Sequence, residues 1–283
     1  MDREPGSWRH RLDVVARAVL VKDIAKRLPR IDAAWDIGEA QIELGEHKAW
    51  FGLVVDDRQT LGYIAVDDYA EGDHAGAAAL PLQPDLLVEE SMPVIELLRL
   101  FRFNPFFFAI RGNSVVSAVS WLDVDCPLGR VALMALVMEF EYALNELLVP
   151  DSAAALSCIS ASRLAKAREL LKLKTERSKA AHSVSGASLV SCMTLADKCT
   201  AARKLVGPQA RSTWAGPITF RKALQLIERV RNSTAHGNSL MEVVTTPAQL
   251  ALFVDVVDYA TRWIQDRATA AEPLVGFQPA GDG

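Results

Sequence analysis

One short grammar occurs twice in this chain, about fifty residues apart, and it limits the folds available to the first half. Trp50 to Val55 reads as a buried strand, Asp56 to Gln59 as a turn, and Leu61 to Val66 as the return strand. Phe106 to Ile110, Arg111 to Asn113 and Val115 to Ser120 then repeat strand, turn and strand. A helical pattern of Met92, Ile95, Leu98 and Leu100 to Phe101 precedes the second unit, with Pro93 placed for a first turn. A recurring unit of this kind is a repeat architecture. Residues 1–125 are therefore expected to form a tandem α/β repeat, with the Ala-, Gly- and Pro-rich stretch Glu71 to Pro84 as the linker between copies.

The second half carries no strand pattern. Five helical patterns run from Val131 to Leu148, Ser160 to Arg177, Leu189 to Val206, Phe220 to His236, and Pro247 to Arg267. Gly207 to Pro217 is expected to be a long connection. The fold class is α+β: an α/β repeat over 1–125, an all-α bundle over 126–268, and a flexible tail over 269–283.

Charge divides the same way. Residues 1–125 hold 13 Lys and Arg against 21 Asp and Glu, whereas 126–268 hold 18 against 12. The acidic front and basic back imply different partners, and nucleic acid is drawn to the back. No apolar run approaches the roughly 20 residues that cross a bilayer, and the opening residues lack the order of a signal peptide. A cytoplasmic protein without membrane contact is expected. Cys126, Cys158, Cys192 and Cys199 show no Cys-x-x-Cys spacing and are expected as reduced core residues, with Cys192 and Cys199 sharing a helical face. No metal site is expected, since no histidine lies at ligand spacing from them.

Chemistry concentrates at Arg231-Asn232-Ser233-Thr234-Ala235-His236, which ends an amphipathic helical pattern before Gly237. RNA cleavage by its own 2′-hydroxyl needs a base, an acid and charge against the phosphorane. His236, with an ordinary pKa near ~6.5, suits proton transfer. Arg231 suits the phosphate and its developing charge, and Asn232 can orient either. One histidine hardly performs both transfers. Asn232 and His236 are equally suited to closing the end of a helix before Gly237. The run from Gln225 to His236, with four residues between Arg231 and His236, resembles the signature of HEPN domains (Arg, a polar residue, a few variable residues, then His), small helical bundles many of which are ribonucleases. That resemblance implies a homodimer whose two motifs face each other, RNA as substrate, and no cofactor for catalysis. Glu139 and Glu141 on the first helix of the bundle are candidates to contact the motif. The basic stretch Ser162 to Lys179 reads as an amphipathic surface helix, or as a track for RNA phosphates.

The front repeat resembles a tandem pair of CBS domains, which sense adenine nucleotides. Each copy in that family ends in a strand, then Thr or Ser, two residues, and Asp. Ser120 and Asp123 match in the second copy; in the first, Asp68 matches but Ala65 replaces the hydroxyl. The resemblance implies that the Asp holds ribose hydroxyls and the hydroxyl binds ribose or phosphate, with AMP, ATP or a related second messenger as ligand. Ser-x-x-Asp is also a helix N-cap pattern. The combined expectation is a nucleotide-regulated, metal-independent endoribonuclease using Arg231, Asn232 and His236, suited to stress response, toxin activity or antiviral defence. The alternative is a non-catalytic nucleotide-sensing adaptor or RNA-binding protein.

Overall fold

Two hairpins with a bulge and a left-handed turn residue at matching positions organise the first unit of the computed structural model. The structure describes residues 12, 14–15, 17–57, 59–66, 74–180 and 188–270, with the side chains of 178–180 excepted. The chain divides into two compact units. One is built from residues 16–132 and 246–251, the other chiefly from 133–245 and 252 onward.

In the first unit, helix α1 (Val21–Ile24) and strand β1 (Lys26–Arg27) precede two copies of a β-α-β-β motif. The first copy is β2 (Arg30–Asp32), α2 (Ile37–His47), β3 (Phe51–Asp56) and β4 (Gln59–Ala65). A short helix α3 (Ala75–Ala78) follows. The second copy is β5 (Leu87–Glu89), α4 (Val94–Leu100), β6 (Phe106–Arg111) and β7 (Ser114–Ser120). The sheets run β2-β3-β4 and β1-β7-β6-β5. In each copy the first pair is parallel and the second antiparallel.

The two hairpins match in register at a shift of 55 positions, and the parallel strands β2 and β5 at a shift of 57. Phe51 pairs with Ala65 as Phe106 pairs with Ser120, and the bulges fall at Val54/Val55 and Ala109/Ile110. Asp57 and Gly112 hold the matching turns at φ 48° and 59°. Glycine enters that region freely, and Asp is among the few side chains that tolerate it.

The stretch expected as a linker is partly structured, and it does for one sheet what α1 and β1 do for the other. Ala75 N donates to Trp35 O and Gly76 N to Ala33 O, as Val21 N donates to Met92 O and Lys22 N to Glu90 O. Leu80 bridges Tyr63 on the edge of β4, as Lys26 pairs with Ala118 on β7. Polar backbone at a sheet edge needs such partners. Between the sheets lie Phe51, Tyr63, Phe106 and Phe108. A separate cluster of Ile31, Ala40, Leu44, Val54 and Ile64 packs α2 on its own sheet. Helix α2 begins with reciprocal capping: Asp36 Oδ1 accepts from Glu39 N at 2.8 Å, and Glu39 Oε2 accepts from Asp36 N at 3.1 Å.

The second unit is helical among its described residues. It contains α5 (Pro127–Leu148, from Leu133), α6 (Ser152–Ser157), α7 (Ala161–Ala180), α8 (Leu195–Leu205), α9 (Gly207–Thr213), α10 (Phe220–His236) and α11 (Pro247–Thr269, from residue 252). Helix α9 occupies part of the stretch expected to be a connection. Its Pro208 stands in the first turn, where a missing N–H costs nothing, and Ala210 is buried. Helix α8 packs against α6, α9 and α10. Phe220, Ala223, Leu224, Ile227 and Val230 bury one stripe of α10 at helical spacing.

Cys158, Cys192 and Cys199 are buried and Cys126 is half-buried. Cys192 lies in a 3-10 turn and Cys199 on α8, so the two do not share one helix as expected. Burial pushes the Cys199 and Cys158 thiols up, away from the reactive thiolate. No described helix is long and apolar enough to cross a membrane. Among the described residues, no group of His, Cys, Asp and Glu side chains gathers to hold a metal.

Candidate functional site

The matched hairpins bring corresponding ends together, and a cleft of about 230 Å3 opens there. Its lining comes in pairs at the 55-residue shift: Trp50 with Pro105, Phe51 with Phe106, Ala65 with Ser120, and Val66 with Trp121. Leu122 completes it. Phe51 and Phe106 meet at its floor with ring centroids 4.2 Å apart. Among the described lining residues the other side chains are apolar or aromatic, and Ser120 supplies the one hydroxyl.

Ser120 ends β7 and stands before a 3-10 turn, Trp121–Asp125. Asp123 Oδ2 accepts from Ser120 N and from Ser120 Oγ, both at 2.7 Å. Its Oδ1 lies 2.6 Å from Lys26 Nζ. The carboxylate is 7% exposed and the lysine 64%. Ser120 and Asp123 are therefore together, as expected. They are joined as a turn cap, so Ser-x-x-Asp does structural work whatever else it does. Lys26, far earlier in the chain, was not legible in the motif, because strand β1 has only two residues. The aromatic pair Phe51 and Phe106 did carry a signal, since both open the second strand of their copy. Ala65 lines the cleft where Ser120 does in the other copy. Asp68, the expected counterpart of Asp123, lies outside the described residues.

The Arg231-to-His236 run forms the last turns of α10, which closes at Gly237 with φ 71°. Arg231 is half-buried, and Asn232 and His236 are exposed. Arg231 Nη1 donates to Asn232 Oδ1 at 3.4 Å. Positions 231 and 236 fall about 140° apart around an ideal helix, whereas 232 and 236 share a face. Arg231 and His236 thus leave the helix in diverging directions. The helix end is tied down instead by Ser233, which is buried and donates to Asn238 O and Ser239 O at 3.3 and 2.9 Å. Glu141, a candidate to contact this run, holds Lys198 of α8 at 2.6 Å.

No family model matches the chain, and no curated protein does. Solved structures that resemble part of it include two CBS-domain structures. One is the CBS domain of a bacterial CNNM/CorC family Mg2+ transporter in complex with ATP, at 15% identity and a TM-score of 0.33, covering 41% of this chain and 90% of that chain. The other is a structure of the CBS domain of the bacterial CNNM/CorC family Mg2+ transporter, at 16% identity and a TM-score of 0.33, covering 43% of this chain and 82% of that chain.

Proposed function

We propose that this chain is an adenine-nucleotide-sensing adaptor whose ligand binds at the cleft between the two β-α-β-β copies. The observation that carries this reading is the cleft's composition among the described residues: aromatic and aliphatic walls in matched pairs, with the Ser120 hydroxyl and the adjacent Asp123 carboxylate at one end. Drug-sized sites occupy roughly 300–1,000 Å3. A smaller apolar cleft suits a planar base, with ribose and phosphates left outside it. Trp50, Phe106 and Trp121 supply the apolar surface for a purine. Asp123 is proposed to accept from ribose hydroxyls through Oδ1, the oxygen that now faces Lys26, with the Ser120 hydroxyl beside it as a second contact. Asp68 is proposed as the corresponding acceptor of the first copy, where Ala65 offers no hydroxyl.

Arg231, Asn232 and His236 are proposed as a surface motif for a partner, RNA included. A metal-independent ribonuclease needs arginine and histidine to converge on one phosphate, and on α10 these two diverge. Cutting would need a second copy of the chain to complete the site.

Two measurements made on the full chain test this. Titration with AMP and ATP is expected to show saturable binding, weakened at least about tenfold by Asp123→Ala, the loss expected for one good charge-assisted bond. Labelled RNA in EDTA is expected to stay intact. Absence of nucleotide binding by folded protein sinks the sensor reading. EDTA-resistant cleavage lost in both Arg231→Ala and His236→Ala establishes the ribonuclease instead.

A further inference from the structure

We propose a second ligand site, in the helical unit, that takes a phosphate-bearing small molecule. A cleft of about 660 Å3 lies where α8, α9 and the first turn of α10 meet. Arg203, Lys204, Arg211 and Arg221 line it, and none of the described lining residues is acidic. Lys204 Nζ is partly committed, donating to Cys158 O at 2.8 Å. Arg203, Arg211 and Arg221 are exposed and make no side-chain hydrogen bond or ion pair among the described residues. Three helices thus bring four cations around one concavity without neutralising them. Self-repulsion of this kind is relieved by a multiply charged anion.

The chemistry favours phosphate. Guanidinium groups match phosphate oxygens through parallel hydrogen bonds. The volume lies within the range of small-molecule sites. One wall is rigid: Trp214 donates its Nε1 to Ile218 O at 2.6 Å and packs against Phe220, Tyr259 and Trp263. Gly216 leaves room beneath that indole, since a Cβ there would fall 2.6 Å from the ring. Arg267 stacks 3.4 Å over Trp263 and donates to Thr213, which holds the same wall from α11. A fixed wall and free cations are the arrangement of a preformed site rather than of a solvated surface.

The probe is inorganic tripolyphosphate, which carries the charge and lacks the base that the front cleft would read. Calorimetric titration of the full chain is expected to show saturable binding that weakens as salt rises. The double variant Arg211→Ala/Arg221→Ala is expected to weaken it at least about tenfold, as loss of two charge-assisted contacts requires. The control Arg163→Ala/Lys166→Ala, two basic residues of α7, is expected to leave it unchanged, as is Asp123→Ala. Circular dichroism of each variant checks that the fold survives. No binding by the wild type, or equal weakening by the α7 control, overturns the site. Adenosine, which has the base and ribose but no phosphate, is expected to lose its binding in Asp123→Ala while tripolyphosphate binding persists, which separates this site from the front cleft.

Discussion

Phe51 and Phe106 occupy the same position in the two copies of the repeat, and their rings meet with centroids 4.2 Å apart. Each opens the second strand of its motif, so the approximate symmetry of the sequence becomes a physical contact. Tyr63 and Phe108 join them, with their own rings 4.7 Å apart. Phe108 is fully buried, whereas Phe106 is partly open to the cleft. Phe108→Ala is therefore expected to cost roughly 3–5 kcal/mol in urea unfolding, the range for a buried phenylalanine. Phe106→Ala is expected to cost less stability and more nucleotide affinity.

Lys26 competes for the carboxylate that a ribose would use. Its ion pair with Asp123 is exposed on the lysine side, and such pairs contribute about 0–1 kcal/mol. Lys26→Ala is expected to shift the thermal midpoint little and to leave AMP affinity unchanged or tighter. A loss of affinity as large as that of Asp123→Ala would show instead that Lys26 contacts the ligand.

Gly62 and Gly45 separate two uses of glycine. Tyr63 and Leu80 exchange both backbone hydrogen bonds at 2.8–2.9 Å, which brings Leu80 O into the space that a Cβ on Gly62 would take. Gly62→Ala is expected to destabilise by about 1–3 kcal/mol, as overpacking does. At Gly45, on α2, a methyl group would meet nothing within 4 Å. Gly45→Ala is expected to stabilise by up to about 1 kcal/mol through helix propensity. Thermal unfolding of the two variants reads opposite signs.

Lys198 is buried to 2% side-chain exposure with Glu141 at 2.6 Å. Removing the carboxylate strands a charge in the helical core. Glu141→Ala is expected to cost about 3 kcal/mol, the lower end for a broken buried pair because Glu141 is partly solvated. Lys198→Met with Glu141→Leu is expected to recover most of that loss. Chemical denaturation of the single and double variants supplies the check.

The two hairpins were legible because alternation and turn residues act over a few positions. The bounds of α10 were legible for the same reason: Thr219 caps it by accepting from Lys222 N, and Gly237 takes the left-handed conformation that ends it. Strands β2 and β5 were not. Each has three residues, too few for a periodic signal, and each exists as the parallel partner of a longer strand. Helix α9 was hidden by Gly207 and Pro208, which read as breakers and serve as a helix start.

The sequence by itself determined the repeat, the helical second half and the pairing of Ser120 with Asp123, because each is encoded within a span of a few turns or strands. Tertiary structure decided what those residues face. It set Lys26 against Asp123 and closed the aromatic walls of the cleft. It also gathered Arg203, Arg211 and Arg221 from three helices around one concavity. Local propensity carries no information about which distant side chains share a space; packing of the whole chain settles that, since only in the folded core do buried groups find their partners.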